Sequence, residues 1–561
     1  MNEEYTLESI QNFKGTYPKQ IWILFLVEMW ERFSFYGMRA LLGLYISHLI
    51  LTANYQPLPK DKIEIKIAKF YAENKEVLNP SHPRYYIETS PQSSRDGAEY
   101  VSNKQYGLIQ AFIYAMAFIG GLFADKLFGF RKSIFWGGIL MSIGTFLMAV
   151  PGSFTFYLGV SILIVGNGFF KPNISTMIGD LYKPGDPRRD AGYGLFYAGI
   201  NIGALLSGLT IAYIGTSYSW SLGFAVAGIC MLLGLGLFTF TQKTLGPIGK
   251  TPDQEKFNQP ILGIPKGWMT MSLTLLFIPF FFLLIYYPFE LDFTFLLGSL
   301  KKGGQELPNM VAFSDVFMIS LALLILIYML YILVTLAKEE LSKMIAAVIL
   351  ILFSVLFWSF FEQGGGSLNF FAVGNVKGYG FNMTSINNSI NALWVVLFSP
   401  LVGLLWVWLA KRKMEPNTVV KFGLGFIFLG LGFLLFYISK NFADINGKTP
   451  LSIFCLAYLV LTLGELCLSP IGLSMITKLS PKRLVGMMMG TWFLASAYGQ
   501  YGAGIIGANM ASNDTSENLT NLQKLELYTS GYETIGYIAL IAGVILVVIS
   551  PLIRKLMNEV K

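Results

Sequence analysis

The sequence predicts an all-α membrane protein made of two six-helix bundles, with two extra transmembrane helices between them. Of its 561 residues, 54% are hydrophobic and only 13% charged, a balance at odds with a soluble chain of this length. Apolar runs of about 20 residues, long enough to cross a hydrocarbon core of roughly 30 Å, recur from Ile21 to Ile553 with short polar breaks. There are about fourteen of them, and the longer polar stretch after residue 241 divides them six, two, six.

The predicted spans are 21–50, 106–128, 133–151, 155–178, 192–213 and 218–241, then 267–288 and 311–336. The last six are 343–371, 384–410, 417–439, 451–476, 484–511 and 531–553. Residues 1–241 therefore form an N-terminal bundle with a long loop at 51–105, residues 242–342 a linker holding the two extra helices, and residues 343–561 a C-terminal bundle. Two six-helix halves joined in this way resemble the major facilitator fold, whose halves rock about a site near the membrane midplane. A channel or a membrane enzyme has no need of that duplication.

Charge sets the expected orientation. With both termini in the cytoplasm, the loops on that side hold Arg131 and Lys132; Lys183, Arg188 and Arg189; Lys411, Arg412 and Lys413; Lys478, Lys482 and Arg483; and Arg554 with Lys555. This satisfies the positive-inside rule. The opposite loop, 51–105, mixes lysines with Asp61, Glu64, Glu73 and Glu76 and is too long to count strongly; its Pro- and Asn-rich composition suits either a folded external cap or a mobile loop. No cleavable signal peptide is expected, because residues 1–19 are polar and contain Glu3, Glu4 and Glu8. The net charge of +8 lies in short loops rather than on one soluble face, so the expected partner is the lipid bilayer and not nucleic acid. Cys230, Cys455 and Cys467 sit singly in apolar runs, with neither metal-ligand spacing nor a disulfide framework. No metal or cofactor is expected.

The first span contains Glu28, Glu31, Arg32, Phe35, Tyr36 and Arg39. At 100° per residue they fall within an arc of about 140°, so four charges share one helical face. Each ionised side chain near the bilayer centre costs roughly 2.5–3.5 kcal/mol, and such a face must line a polar pathway or pair internally. Two carboxylates beside an arginine suit a proton relay; a purely structural ion-pair cluster is the plainer alternative. His48 and His82 lie at the outer end of this span and in the external loop, leaving proton coupling to carboxylates.

Further polar signals interrupt other spans. Lys171, in Gly166-Asn-Gly-Phe-Phe-Lys171-Pro172-Asn173, either serves the interior or snorkels to the cytoplasmic surface. Tyr197 and Asn201 lie one turn apart in Phe196-Tyr197-Ala-Gly-Ile-Asn201-Ile-Gly203, a spacing that also suits interhelical hydrogen bonding. Glu362 precedes three glycines that let the backbone open or bend. Glu465 shares a face with Ser469 and is followed by the kinking Pro470. A lone glutamate deep in an apolar helix reads first as functional.

Together these segments resemble the proton-dependent oligopeptide transporter family of the major facilitators, in its prokaryotic fourteen-helix form. Glu28-x-x-Glu31-Arg32-Phe33-x-Phe35-Tyr36-Gly37 is similar to that family's first-helix signature, with Phe35 where the family has a tyrosine. Residues 121–132 resemble its cytoplasmic loop motif, 196–203 its FYxxINxG signature, and 464–470 its tenth-helix motif. Asn167 and Ala392 are smaller departures, standing where threonine and proline are common.

The resemblance implies a proton-coupled symporter importing di- and tripeptides across a bacterial inner membrane, with peptide, protons and lipid as its partners and a monomer as the functional unit. It implies Glu28, Glu31, Arg32 and Glu465 as proton-coupling residues. Arg39 and Lys171 would receive the peptide carboxylate, and Glu465, Asn201 and Asn391 its amino terminus. Tyr114, Tyr197, Trp358, Trp492 and Ser469 would line the same cavity. Arg39 with Glu362 would form an outer gate and Lys171 with Glu465 an inner one. Loss of a hydroxyl at Phe35 would remove a contact to the peptide or to Arg39. The alternative is a family member carrying nitrate or another small anion or zwitterion, against which the buried Glu465 speaks. An enzyme is not expected, since no nucleophile–base pair is legible, and the chain has no Walker motif for an ATP site.

Overall fold

The computed structural model describes residues 5–183, 185–286, 289–302, 305–468, 472–481, 483–511 and 520–557. The first six long helices are α1 (Lys19–Ala53), α2 (Gln92–Phe123), α3 (Phe130–Ala149), α4 (Ser153–Asp180), α5 (Arg188–Ser207) and α6 (Trp220–Thr241). Next come α7 (Lys266–Tyr286) and α8 (Phe313–Thr335). The last six are α9 (Lys338–Phe361), α10 (Met383–Lys411), α11 (Thr418–Ile438), α12 (Leu451–Leu468), α13 (Val485–Met510) and α14 (Asn521–Leu556). Among the described residues thirteen helices are long and apolar enough to cross a membrane. The predicted span 484–511 appears as α13, whose six glycines dilute its apolar character while letting its neighbours approach closely.

Packing gathers the helices into two bundles. In the first, α1 packs on α5 and α6, α3 on α4 and α6, and α2 on α4; in the second, α11 packs on α12 and α14, α9 on α13 and α14, and α10 on α12. The bundles meet along two seams, α2 with α13 and α5 with α10. At the first seam a Cβ on Gly107 would stand 2.5 Å from the Cα of Gly504, so only glycine allows this approach. Gly107→Val is expected to destabilise the protein by about 1–3 kcal/mol through overpacking, read as a lower thermal midpoint of the detergent-purified protein. An unchanged midpoint would show that the seam has room to spare.

Helices α7 and α8 stand outside the bundles. α7 lies on α4, and α8 buries only 17% of its most apolar stretch, as suits a lipid-facing helix. One polar residue anchors α8 to both sides of a seam: Asp315 receives Lys104 Nζ of α2 at 3.2 Å and the Tyr501 hydroxyl of α13 at 2.6 Å.

Two helices begin ten or more residues earlier than hydropathy predicts. α2 starts at Gln92 rather than 106, and α14 at Asn521 rather than 531. Their polar extensions satisfy each other: Lys524 Nζ lies 3.2 Å from Asp96 and 2.6 Å from Glu99, and the Tyr528 hydroxyl donates to Glu99 at 2.9 Å. Paired charges of this kind need no apolar run to hold a helix. Between α1 and α2 the chain folds into a cap with helices at Lys60–Asn74 and Tyr85–Thr89, which decides the open choice at 51–105 for a folded cap. The cap follows the C-terminal end of α1 and precedes the N-terminal end of α2, and so lies at that end of the first bundle.

Candidate functional site

The polar residues of the spans form three groups, and the first is local to α1. Arg32 lies between two carboxylates, its Nε 2.8 Å from Glu28 and 2.5 Å from Glu31, with all three side chains at most 3% exposed. The i,i+4 spacing of Glu28 and Arg32 puts the two side chains side by side on the helix surface. With both carboxylates ionised this trio holds one net negative charge; with one proton it holds none. Asn167 of α4 reaches across to donate to Glu31 at 3.5 Å. The departure that had no sequence-level meaning thus touches the acid at the centre of the cluster.

Phe35 belongs to this group rather than to Arg39. Its ring, 1% exposed, sits 5.3 Å from the Arg32 guanidinium carbon and packs edge-on against Tyr36. A cation over an aromatic face needs no hydroxyl, which is the physical reason the position tolerates phenylalanine. Arg39 instead has Tyr36 and Tyr106 as its ring neighbours. The Phe35 ring therefore serves the first arginine of the helix.

The second group joins the halves near the cap. Arg39 of α1 pairs with Glu362, which stands where α9 ends and gives way to a short 3-10 turn, Glu362–Gly365. The glycines after Glu362 open the backbone there, as the sequence predicted. Arg39 Nε also donates to the Tyr106 hydroxyl at 2.6 Å. Sequence reasoning missed Tyr106, although Tyr106, Gln110 and Tyr114 recur every four residues as a polar stripe through an apolar helix.

The third group also spans the halves, toward the C-terminal end of α12. Glu465 of α12 receives the Tyr197 hydroxyl of α5 at 3.4 Å and the Asn391 amide of α10 at 3.0 Å. Asn391 also donates to Thr462, a second residue that the sequence did not single out. Asn201 spends its amide on the carbonyl of Tyr197 at 2.9 Å, an ordinary one-turn helix bond, and does not reach Glu465 with it. Lys171 of α4 does not snorkel: its Nζ lies 3.9 Å from the centre of the Tyr114 ring. Among the described residues it forms no ion pair with Glu465. Trp358 and Trp492 are partly buried on the packed pair α9 and α13. Ser469 lies outside the described residues.

Two bundles of membrane helices, meeting around buried charges that pair across the seam between them, define a transporter of the major facilitator class. The chain belongs to the POT family, whose profile matches residues 131–524. It is 32% identical over 553 residues, 97% of this chain and 96% of the other, to the uncharacterized transporter YclF of Bacillus subtilis (strain 168). It is 28% identical over 557 residues, 97% of each chain, to the di-/tripeptide transporter of Lactococcus lactis subsp. cremoris. Among solved structures, a peptide transporter POT in complex with sulfate matches with a TM-score of 0.73 at 29% identity, covering 99% of this chain and 100% of that one.

Proposed function

We propose that this protein is a proton-coupled symporter that imports di- and tripeptides across a bacterial cytoplasmic membrane by alternating access. The observation that carries the reading is Glu465, a buried carboxylate held between the halves by Tyr197 and Asn391. A peptide ammonium can replace those two donors. Arg39 and Lys171, on α1 and α4, supply cations for the peptide carboxylate, and each charge pair gains strength in a water-poor cleft. The relatives named as peptide and di-/tripeptide transporters agree with this substrate. Tyr114, Asn201, Trp358, Trp492 and Ser469 complete the lining in this reading.

Residues 1–241 and 343–561 act as the two rocking bodies, with 242–342 as their linker. Placing both termini in the cytoplasm, where the basic loops belong, makes the cap external. Arg39–Glu362 is then an outer gate that is made, and Lys171–Glu465 an inner gate that is not. This combination belongs to an inward-facing state. Glu28, Glu31 and Arg32 change net charge by one on taking up a proton, and Glu465 offers a second acceptor. One proton crossing about 100 mV supplies roughly 2.3 kcal/mol, enough for about fifty-fold accumulation of a neutral zwitterion. Every group the reading uses lies on one chain, so a monomer suffices.

The experiment is proton influx into proteoliposomes under an imposed potential on adding dialanine outside. Influx is expected, and it should disappear when the peptide or the potential is omitted. A trace that stays silent with dialanine and longer peptides but responds to nitrate would replace the peptide reading with anion transport.

A further inference from the structure

A partly open cavity of about 680 Å³ lies between the cap, the cap-side ends of α1 and α2, the segment joining α5 to α6, and the loops of the C-terminal bundle. Its charges are unevenly balanced. Arg84 pairs with Glu88, and Lys66 and Arg95 line the same cavity. Burial alone would raise the Glu88 carboxyl; Arg84, Arg95 and Lys66 overrule it and hold it down at about 2. Burial and the charge of Arg95 in turn push Lys66 down to about 8. Glu88 is therefore ionised at neutral pH, and it is one carboxylate among three cations.

A fourth cation comes from the other half. Lys448 lines the cavity but donates to the carbonyls of Val373 and Gly374, at 3.3 and 2.7 Å, rather than to a carboxylate. Arg95 Nε is buried with no hydrogen-bond partner among the described residues, an orphan donor of the kind that proteins rarely leave unmatched. Of the other charges in the lining, Lys524 is held by Asp96 and Glu99, Lys69 lies 3.8 Å from Glu73, Glu76 lies 3.4 Å from His82, and Asp444 accepts from the backbone amides of Asn446 and Lys448; with Lys377 the lining holds seven cations against five carboxylates. A concave, positively charged mouth of this kind focuses field lines and raises the local concentration of anionic groups.

We propose that this cavity is an outer capture site for substrate carboxylates, in which Lys66, Arg95 and Lys448 hold the acidic groups of a peptide before the halves open and so favour acidic over basic peptides. The inference rests on the transport reading above and adds a place for the cap in it. Lys66 and Arg95 belong to the cap side and Lys448 to the opposite bundle, so a carboxylate bridging them sits above the seam through which it must pass. The occupant is the peptide itself; a free carboxylate such as acetate shares the chemistry but not the consequence for selectivity.

The test compares initial uptake of Ala-Glu, dialanine and Ala-Lys by proteoliposomes holding the intact chain or the variant Lys66→Gln/Arg95→Gln/Lys448→Gln. In the variant KM for Ala-Glu is expected to rise about tenfold, that for dialanine less and that for Ala-Lys not at all, with the change on KM rather than kcat. In the unaltered protein, raising ionic strength should narrow the ratio of KM for Ala-Lys to KM for Ala-Glu, which keeps the inference testable if the triple variant fails to insert. Equal shifts for all three peptides, or a ratio indifferent to both salt and substitution, overturn the capture site. So does acetate raising KM for dialanine while the preference for Ala-Glu survives the substitutions, since the site would then take free anions only. If the unaltered protein transports none of the three peptides, the transport reading fails first.

Discussion

Glu31→Gln is expected to abolish uphill peptide accumulation while leaving peptide exchange down a gradient intact. Glu31 is fully buried against Arg32 and is touched by Asn167 from α4. The isosteric amide keeps an oxygen for Asn167 to donate to but has no exchangeable negative charge. Glu28 remains on Arg32 at 2.8 Å, so the arginine keeps a partner and the helix is not left with an unpaired buried charge. What is lost is the change of one unit of charge on protonation. The steady-state accumulation ratio at about 100 mV should fall from about fifty to about one, while counterflow of labelled dialanine continues. Full accumulation by the variant would remove Glu31 from the relay and shift attention to Glu28 and Glu465.

Glu362→Gln is expected to open the cap side. Arg39 and Glu362 form a mostly buried pair between α1 and the end of α9, with side chains 12% and 10% exposed. Removing one partner of such a pair typically costs about 3–5 kcal/mol, because the remaining charge is left unmatched in a low-dielectric site. The bond from Arg39 to Tyr106 offsets only part of this, and the closed arrangement of the cap side bears the whole penalty. Spin labels at Tyr218 and Phe381, exposed positions on the loops of opposite halves, should then report longer and broader distances than in the unaltered protein. Active uptake should fall by at least about a hundredfold, the equivalent of roughly 3 kcal/mol. An unchanged distance distribution would mean that the seams alone, α2 with α13 and α5 with α10, keep this side shut.

The two variants probe different layers of one arrangement, and the layers were not equally legible. Glu28, Glu31, Arg32 and Arg39 could be placed on one face from sequence because helix geometry fixes their angles and bilayer energetics forbids that face to lipid. The break after Glu362 was legible for an equally local reason, the three glycines that follow it. Arg39 was read with Glu362 only through a family resemblance, and Tyr106, its second hydrogen-bonding partner, was missed altogether. Tyr197 and Glu465 are 268 residues apart, and their bond depends on how α5 and α12 are brought together. The early starts of α2 and α14 stayed hidden because Asp96, Glu99 and Lys524 look like loop residues until they are seen paired with one another.

The sequence by itself determined the membrane-embedded helices, the division six, two, six, and the set of charges that could not face lipid. Those follow from rules acting within one helix: the apolar length needed to span, the periodicity that groups side chains, and the cost of an ionised group in hydrocarbon. Only the tertiary structure decided which charges meet across the seams, that Phe35 packs against Arg32, and how 51–105 folds into a cap that lines a charged cavity. These depend on contacts between residues far apart in the chain, and such contacts are chosen by the packing of whole helices against one another rather than by any local pattern.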